Sequence, residues 1–112
     1  MGEIITGKTA TTMVRITVEK VYKWDACPIG FKPGDEFIYS MTSDYTPPEQ
    51  RQGPPYKWEI KPNFCDWAWN CIIPYVTTLA YGGQIPFYGK NIAYVNCNDG
   101  EHPVLFKLEL LD

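Results

Sequence analysis

The chain has 112 residues, which is enough for one domain with a single hydrophobic core. Its 10 basic and 13 acidic residues give a net charge of −3, and the basic residues are scattered along the sequence, so nucleic acid is not an expected partner. No apolar run is long enough to span a bilayer and residues 1–8 lack the blocks of a secretory signal, so we expect a cytoplasmic protein with no membrane partner.

The first predicted elements are a polar arm and two strands. Residues 1–12 are rich in Thr and show no sustained period, which predicts an N-terminal arm followed by a single domain over residues 13–112. From Met13 onward apolar and polar residues alternate, as in a half-buried strand. Residues 35–40 predict a short second strand, and the Pro and Gly residues between the two predict a wide hairpin with Cys27 in its connection.

The next segment, residues 41–63, contains five of the ten prolines. Proline lacks the amide donor and fixes φ, so we expect a long loop without regular structure. Loops of this length inside compact domains are often functional. With Tyr45, Tyr56 and Trp58 as apolar anchors, the loop is a candidate lid over a ligand site.

A helix is predicted to begin near Phe64, with Asn63 as its N-cap and Asp66 in the first turn. Its buried stripe follows a period of 3.6 residues and consists of Cys65, Ala68, Trp69, Ile72, Val76, Leu79 and Ala80. Cys71 lies well away from Cys65 around the helix, so the two should not share a site. Pro74 predicts a kink or a division into two helices, and Gly82–Gly83 is a C-terminal stop signal.

Two further strands are predicted after a loop at residues 85–89, over residues 91–97 and from Val104 to the end of the chain. The predicted order is therefore ββαββ. It indicates an α+β domain with a mostly antiparallel sheet, covered on one face by the Pro-kinked helix.

Read together, short motifs in the order of the chain resemble those of a known family. They are Cys27-Pro-x-Gly30, Gly34-Asp35, Cys65-x-x-Ala68, Gly82-Gly83-x-x-Pro86 and Cys97-x-Asp99-Gly100-x-x-Pro103-Val104-x-Phe106. The set is similar to that of a family of short conserved hypothetical microbial proteins with no established activity. The resemblance covers residues 13–112 and implies the same fold and a grouping of the cysteines. The family typically carries Cys-Pro-x-Gly-His where this chain has Phe31.

Three cysteines at the edges of elements, Cys27, Cys65 and Cys97, are candidate metal ligands. Thiolates suit zinc or iron, and three of them with His102 or Asp99 as a fourth ligand would complete a site. No Cys-x-x-Cys pair is present, however, and the alternative is that all three are small buried hydrophobic residues.

Other catalytic candidates each have a structural alternative. Cys65 near a helix N-terminus could act as a thiolate nucleophile, with His102, the only histidine, as its base. Cys27 is a further candidate for a catalytic thiol. Asp35 and Asp99 could act as acid or base, but both stand beside glycines and are typical turn formers.

The aromatic content predicts a pocket or an oligomer interface, since 17 of the residues are Trp, Tyr or Phe. The candidate pocket residues are Trp69, Phe87, Tyr88, Tyr56 and Trp58. The leading hypothesis is a binding module for a metal ion or small organic ligand at the cysteines. The alternatives are a small enzyme that acts on an aromatic or carbonyl compound, and a structural or accessory subunit. The edges of the predicted sheet also favour a homo-oligomer.

Overall fold

The computed structural model describes residues 9–22, 30–44, 46–97 and 103–111. It contains one antiparallel sheet with the strand order β3-β2-β1-β5-β4, and a helix packed on one face. The elements are β1 (Thr9–Val21), β2 (Glu36–Asp44), β3 (Tyr56–Lys61), α1 (Asp66–Ala80), β4 (Ile92–Asn96) and β5 (Val104–Leu111). The predicted α+β class with an antiparallel sheet is therefore confirmed.

The core lies between α1 and one face of the sheet, which we call the helix face; the other side is the open face. Alternation along the strands decides which residues are buried, because successive side chains point to opposite faces. In β1, Val14, Ile16 and Val18 are buried on the helix face. Cross-strand pairing continues this layer, since Ile16 is opposite Phe37 in β2 and Leu108 in β5.

The helix buries the predicted stripe. Its fully buried residues recur at the spacing of one helix face and are Ala68, Ile72, Val76 and Leu79. The helix begins at Asp66 with Cys65 as its N-cap, so Asn63 is not the cap and the predicted start at Phe64 is two residues early. The helix passes through Pro74 as one element, so it is not divided into two helices there, and the kink at Pro74 stays a prediction. Pro74 is exposed, so the backbone hydrogen bond that it cannot donate is lost on the solvent side of the helix. No contact with the core is lost.

The helix ends where the paired glycines predict. Gly82 has φ +84°, which a residue with a side chain rarely adopts, and its amide donates to the carbonyl of Leu79 at 3.0 Å. The amide of Gly83 donates to the carbonyl of Thr78 at 2.8 Å. These two bonds are the Schellman arrangement, which satisfies carbonyls at the last turn.

The main correction concerns residues 41–63, which are not a long loop. β2 continues to Asp44, and Tyr56–Lys61 forms an additional edge strand, β3, so the order is βββαββ. The five prolines lie outside both strands, where they do not interrupt hydrogen bonds. At the N-terminal side, β1 begins at Thr9, four residues before the predicted start at Met13, because residues 9–12 pair with the extension of β2.

The two helix cysteines are less different than predicted. Both Cys65 and Cys71 are half-buried and pack against the core, although only Cys65 lies on the central stripe. Among the described residues, no helix is both long and apolar enough to cross a membrane.

Candidate functional site

Cys65 and Cys97 lie at the same end of the sheet, where β3, β4 and β1 end and β2 and β5 begin. Cys65 caps α1, but its side chain makes no capping hydrogen bond. Cys97 follows β4, and its Sγ accepts a hydrogen bond from the amide of Val104 at 3.3 Å. The remaining candidates for this site, Cys27, His102 and Asp99, lie outside the described residues.

No group of three potential ligands for a metal ion occurs among the residues that the structure describes. The predicted zinc or iron site at Cys27, Cys65 and Cys97 cannot be assembled from described residues alone, since Cys27 is not one of them. The metal site, and the thiolate reaction that would use Cys65 with His102, stay predictions.

Asp35 occupies a turn. Its Oδ2 accepts a hydrogen bond from the amide of Lys32 at 2.9 Å, and its own amide donates to the carbonyl of Lys32 at 3.0 Å. Gly34, directly before it, has φ +95°. Since aspartate stabilises turns through such side-chain to backbone bonds, this geometry supports the structural alternative for Asp35.

Phe31, the residue found where the resembled family has histidine, is part of the core. Its ring lies 5.4 to 5.5 Å from the rings of Phe37, Phe64 and Phe106, measured between centroids. Two of these contacts are edge-to-face, the arrangement that the charge distribution of aromatic rings favours. We call these four residues the phenylalanine cluster. It fills the end of the sheet at which Cys65 and Cys97 lie.

The predicted pocket aromatics fall into separate places. Trp58 and Trp69 stack with a centroid distance of 5.0 Å, and Tyr39 contacts both rings. Tyr88 instead packs against Tyr94 of β4, at the opposite edge of the sheet. Phe87 is 90% exposed in the loop that follows α1. The structure therefore joins two of the five predicted pocket residues.

Tyr39 is the buried centre of this aromatic group. Burial raises its pKa to about 12, and the nearby phenols of Tyr81 and Tyr56 act in the same direction. Desolvation penalises the phenolate, and a second phenolate nearby would repel it. Tyr39 therefore holds its proton in the folded protein over a pH range in which the unfolded chain releases it.

Alkaline pH should destabilise the protein through Tyr39. The stabilisation is present below the ordinary tyrosine pKa of about 10 and is lost as pH rises towards about 12. We expect Tyr39→Phe to lose less stability than the unchanged protein over this interval, as measured by urea unfolding. The same pair at about pH 7 is the control, since tyrosine is not ionised there in either state. If the free energy of unfolding falls equally with pH in both proteins, Tyr39 is not the source of the alkaline destabilisation.

A half-open cleft of about 420 Å³ lies where β2 connects to β3. Its walls combine polar and apolar surface and are formed by Thr42, Asp44, Thr46, Gln50, Arg51, Gln52, Gly53, Pro54, Tyr56 and Lys57. Prolines flank the connection, and a short 3-10 turn at Pro48–Gln50 forms one side of it. The volume is within the range of small-molecule sites.

Hydrogen bonds hold two of the charged groups of the cleft, those of Asp44 and Arg51. The Asp44 carboxylate accepts bonds from the hydroxyl and the amide of Thr46, at 2.6 and 2.9 Å. These bonds hold the pKa of Asp44 below its usual range, and the charges of Arg51 and Lys57 lower it further. The guanidinium of Arg51 donates from Nε to the carbonyl of Gly53 at 2.8 Å and from Nη1 to that of Thr46 at 3.2 Å.

A second hollow of about 290 Å³ adjoins the cleft. It is lined by Ser40, Thr42, Lys57, Trp58 and Glu59, so it shares two residues with the first. Together they extend along β2 and β3. Of the predicted pocket residues, Tyr56 lines the cleft and Trp58 lines this hollow.

The connection that forms the cleft is far from the cysteines. β2 ends at Asp44, opposite the first residue of β1, whereas Cys65 and Cys97 lie beyond the other end of the strands. Residues 46–55 therefore do not cover Cys65 or Cys97, contrary to the expectation of a lid over that site. The amide of Asp44 also donates to the carbonyl of Pro55 at 2.7 Å, which continues the strand pairing into the connection.

Comparison of the chain with protein-family models, with curated proteins and with solved structures found no match in any of the three.

Proposed function

We propose that the protein is a binding module for a small organic anion, held in the cleft between β2 and β3. The observation that carries the proposal is the fixed guanidinium of Arg51 in the wall of a cleft of suitable size. Two of its five N–H donors are used in bonds among the described residues. A guanidinium held in place in this way binds a carboxylate or phosphate at a low cost in conformational entropy.

The charge of the lining favours an anion. Arg51 and Lys57 contribute two positive charges, and Asp44 contributes one negative charge. The Oδ1 atom of Asp44 accepts both hydrogen bonds from Thr46. The ring of Tyr56 is 45% exposed at the same site and offers an apolar surface on which a flat group can stack. The proposed ligand class is therefore an aromatic or other planar molecule that carries an acidic group.

The test uses two probes, benzoate and inorganic phosphate, with binding followed by amide chemical shifts. We expect benzoate to shift the amides of Thr42, Thr46 and Tyr56, and phosphate to bind more weakly because it cannot stack. Arg51→Gln should weaken benzoate binding about tenfold or more, since a charged hydrogen bond contributes about 1.5–3 kcal/mol.

Arg15→Gln is the matched control. Arg15 lies on the open face of β1 and bonds to Glu109 at 3.3 Å, outside the cleft, so its loss should leave benzoate affinity unchanged. The proposal fails if no amide of the cleft shifts, or if both Arg variants weaken binding equally.

The cysteine-centred metal site, the enzyme and the accessory subunit remain predictions from the sequence, and no described contact favours one of them over the cleft.

A further inference from the structure

β3 is an edge strand, and no described strand pairs with its outer side. The bond from the amide of Asp44 to the carbonyl of Pro55 fixes which backbone groups point outward, because bonded and non-bonded pairs alternate along an antiparallel ladder. Lys57, Glu59 and Lys61 bond towards β2. The N–H and C=O groups of Tyr56, Trp58 and Ile60 therefore point away from the sheet, where a further strand would pair.

The charges of β3 restrict how a second copy can pair with it. Lys57, Glu59 and Lys61 lie on the open face, and in an antiparallel pair the residues directly opposite each other share a face. A two-fold axis at Lys57 would place Lys57 opposite the partner's Lys57. A two-fold axis at Glu59 would place Glu59 opposite the partner's Glu59, and Lys57 opposite the partner's Lys61. Both arrangements repel.

An axis at Trp58 gives a different result. Lys57 is then opposite the partner's Glu59, and by symmetry Glu59 is opposite the partner's Lys57. Tyr56 is opposite the partner's Ile60, so all three outward-pointing residues form bonded pairs, with about six hydrogen bonds in all. An axis at Ile60 would also pair opposite charges, but it would place Trp58 opposite the partner's Pro62, which has no amide donor and lies beyond the strand.

We propose that two copies of this chain associate through β3, antiparallel, with the two-fold axis at Trp58. The sheets of the two copies then form one continuous sheet. Trp58 and Tyr56 are 44% and 45% exposed in the single chain. On the helix face of the dimer, Trp58 meets the partner's Trp58 and Tyr56 meets the partner's Ile60. Pro55 and Pro62 border the six-residue strand and limit the ladder to it. The other edge strand, β4, has five residues and no charged side chain. Charge pairs therefore cannot favour one register over another in a dimer formed through β4.

Sedimentation of charge-reversed variants tests the proposal. We expect the unchanged protein to dimerise, and Lys57→Glu or Glu59→Lys alone to weaken the dimer about tenfold or more, since each creates two like-charge pairs across the axis. An equimolar mixture of the two variants should dimerise again, because both pairs are then of opposite charge. This recovery also shows that each variant is folded.

Lys61→Glu is the matched control, with the same change of charge on the same strand face but no charged residue opposite it in the proposed register. It should leave the dimer unchanged. A monomeric unchanged protein, or a mixture that remains monomeric, would overturn the proposal. Loss of the dimer in Lys61→Glu but not in Lys57→Glu would overturn the register, and insensitivity to every variant would show that any dimer uses another surface.

Discussion

Replacing Phe106 by Ala is expected to lower the free energy of unfolding by about 3–5 kcal/mol. Phe106 is the fully buried member of the phenylalanine cluster, with its ring 5.5 Å from that of Phe31 and 5.4 Å from that of Phe64. Its removal leaves a cavity that neighbours from a strand and two loop segments would have to fill. Since a domain of this size has a stability of about 5–15 kcal/mol, the loss is a large fraction of the total.

The matched control is Phe87→Ala. It removes the same atoms from a side chain that is 90% exposed, so stability should change by less than about 0.5 kcal/mol. Urea unfolding of both variants measures the contrast. Equal losses would mean that Phe87 is buried in solution, either by a ligand or by another copy of the chain.

The second large effect is expected at Trp69. Trp69→Ala removes the ring that joins α1 to both Tyr39 and Trp58, so it separates the helix from the β3 side of the sheet. We expect the free energy of unfolding to fall by about 3 kcal/mol. This is at the lower end of the range for replacing a large aromatic residue by Ala, because Trp69 is half-buried. The fluorescence of Trp58 should also change as its indole becomes more exposed to water.

Trp67→Ala is the control for this substitution, since Trp67 lies on the same helix but is 65% exposed. Its effect on urea unfolding should be within about 0.5 kcal/mol. If the two variants lose stability equally, the orientation of α1 about its own axis is wrong.

Short-range patterns predicted the elements in which one face is buried. The alternation around Val14 and the 3.6-residue stripe through Ile72 each report a contact with the core, so both could be recognised from sequence. β3 shows the same alternation, with Tyr56, Trp58 and Ile60 on one face. The sequence predicts a loop here because prolines lie on both sides of these residues, but in the structure the prolines border the strand and do not break it.

The cleft and the strand order depend on pairing between distant residues. Asp44 and Lys57 meet because β2 and β3 pair, and neither residue has a local pattern that predicts a site. Polar side chains in a Pro-rich connection are typical of any exposed turn. The one local signal was the run of Gln and Arg residues at 50–52 between pairs of prolines, which indicates a turn but not its geometry.

The central position of β5 constrains how the chain can fold during synthesis. β5 lies between β1 and β4, so β4 has no strand partner in the described sheet until the last strand is available. A ribosome-bound chain that ends before Val104 can pair β1 with β2 and β2 with β3, but it exposes the apolar side of α1 and an unpaired side of β1. Completion of the core is therefore expected only after β5 has left the ribosome, and slowly, since its contacts join distant parts of the chain.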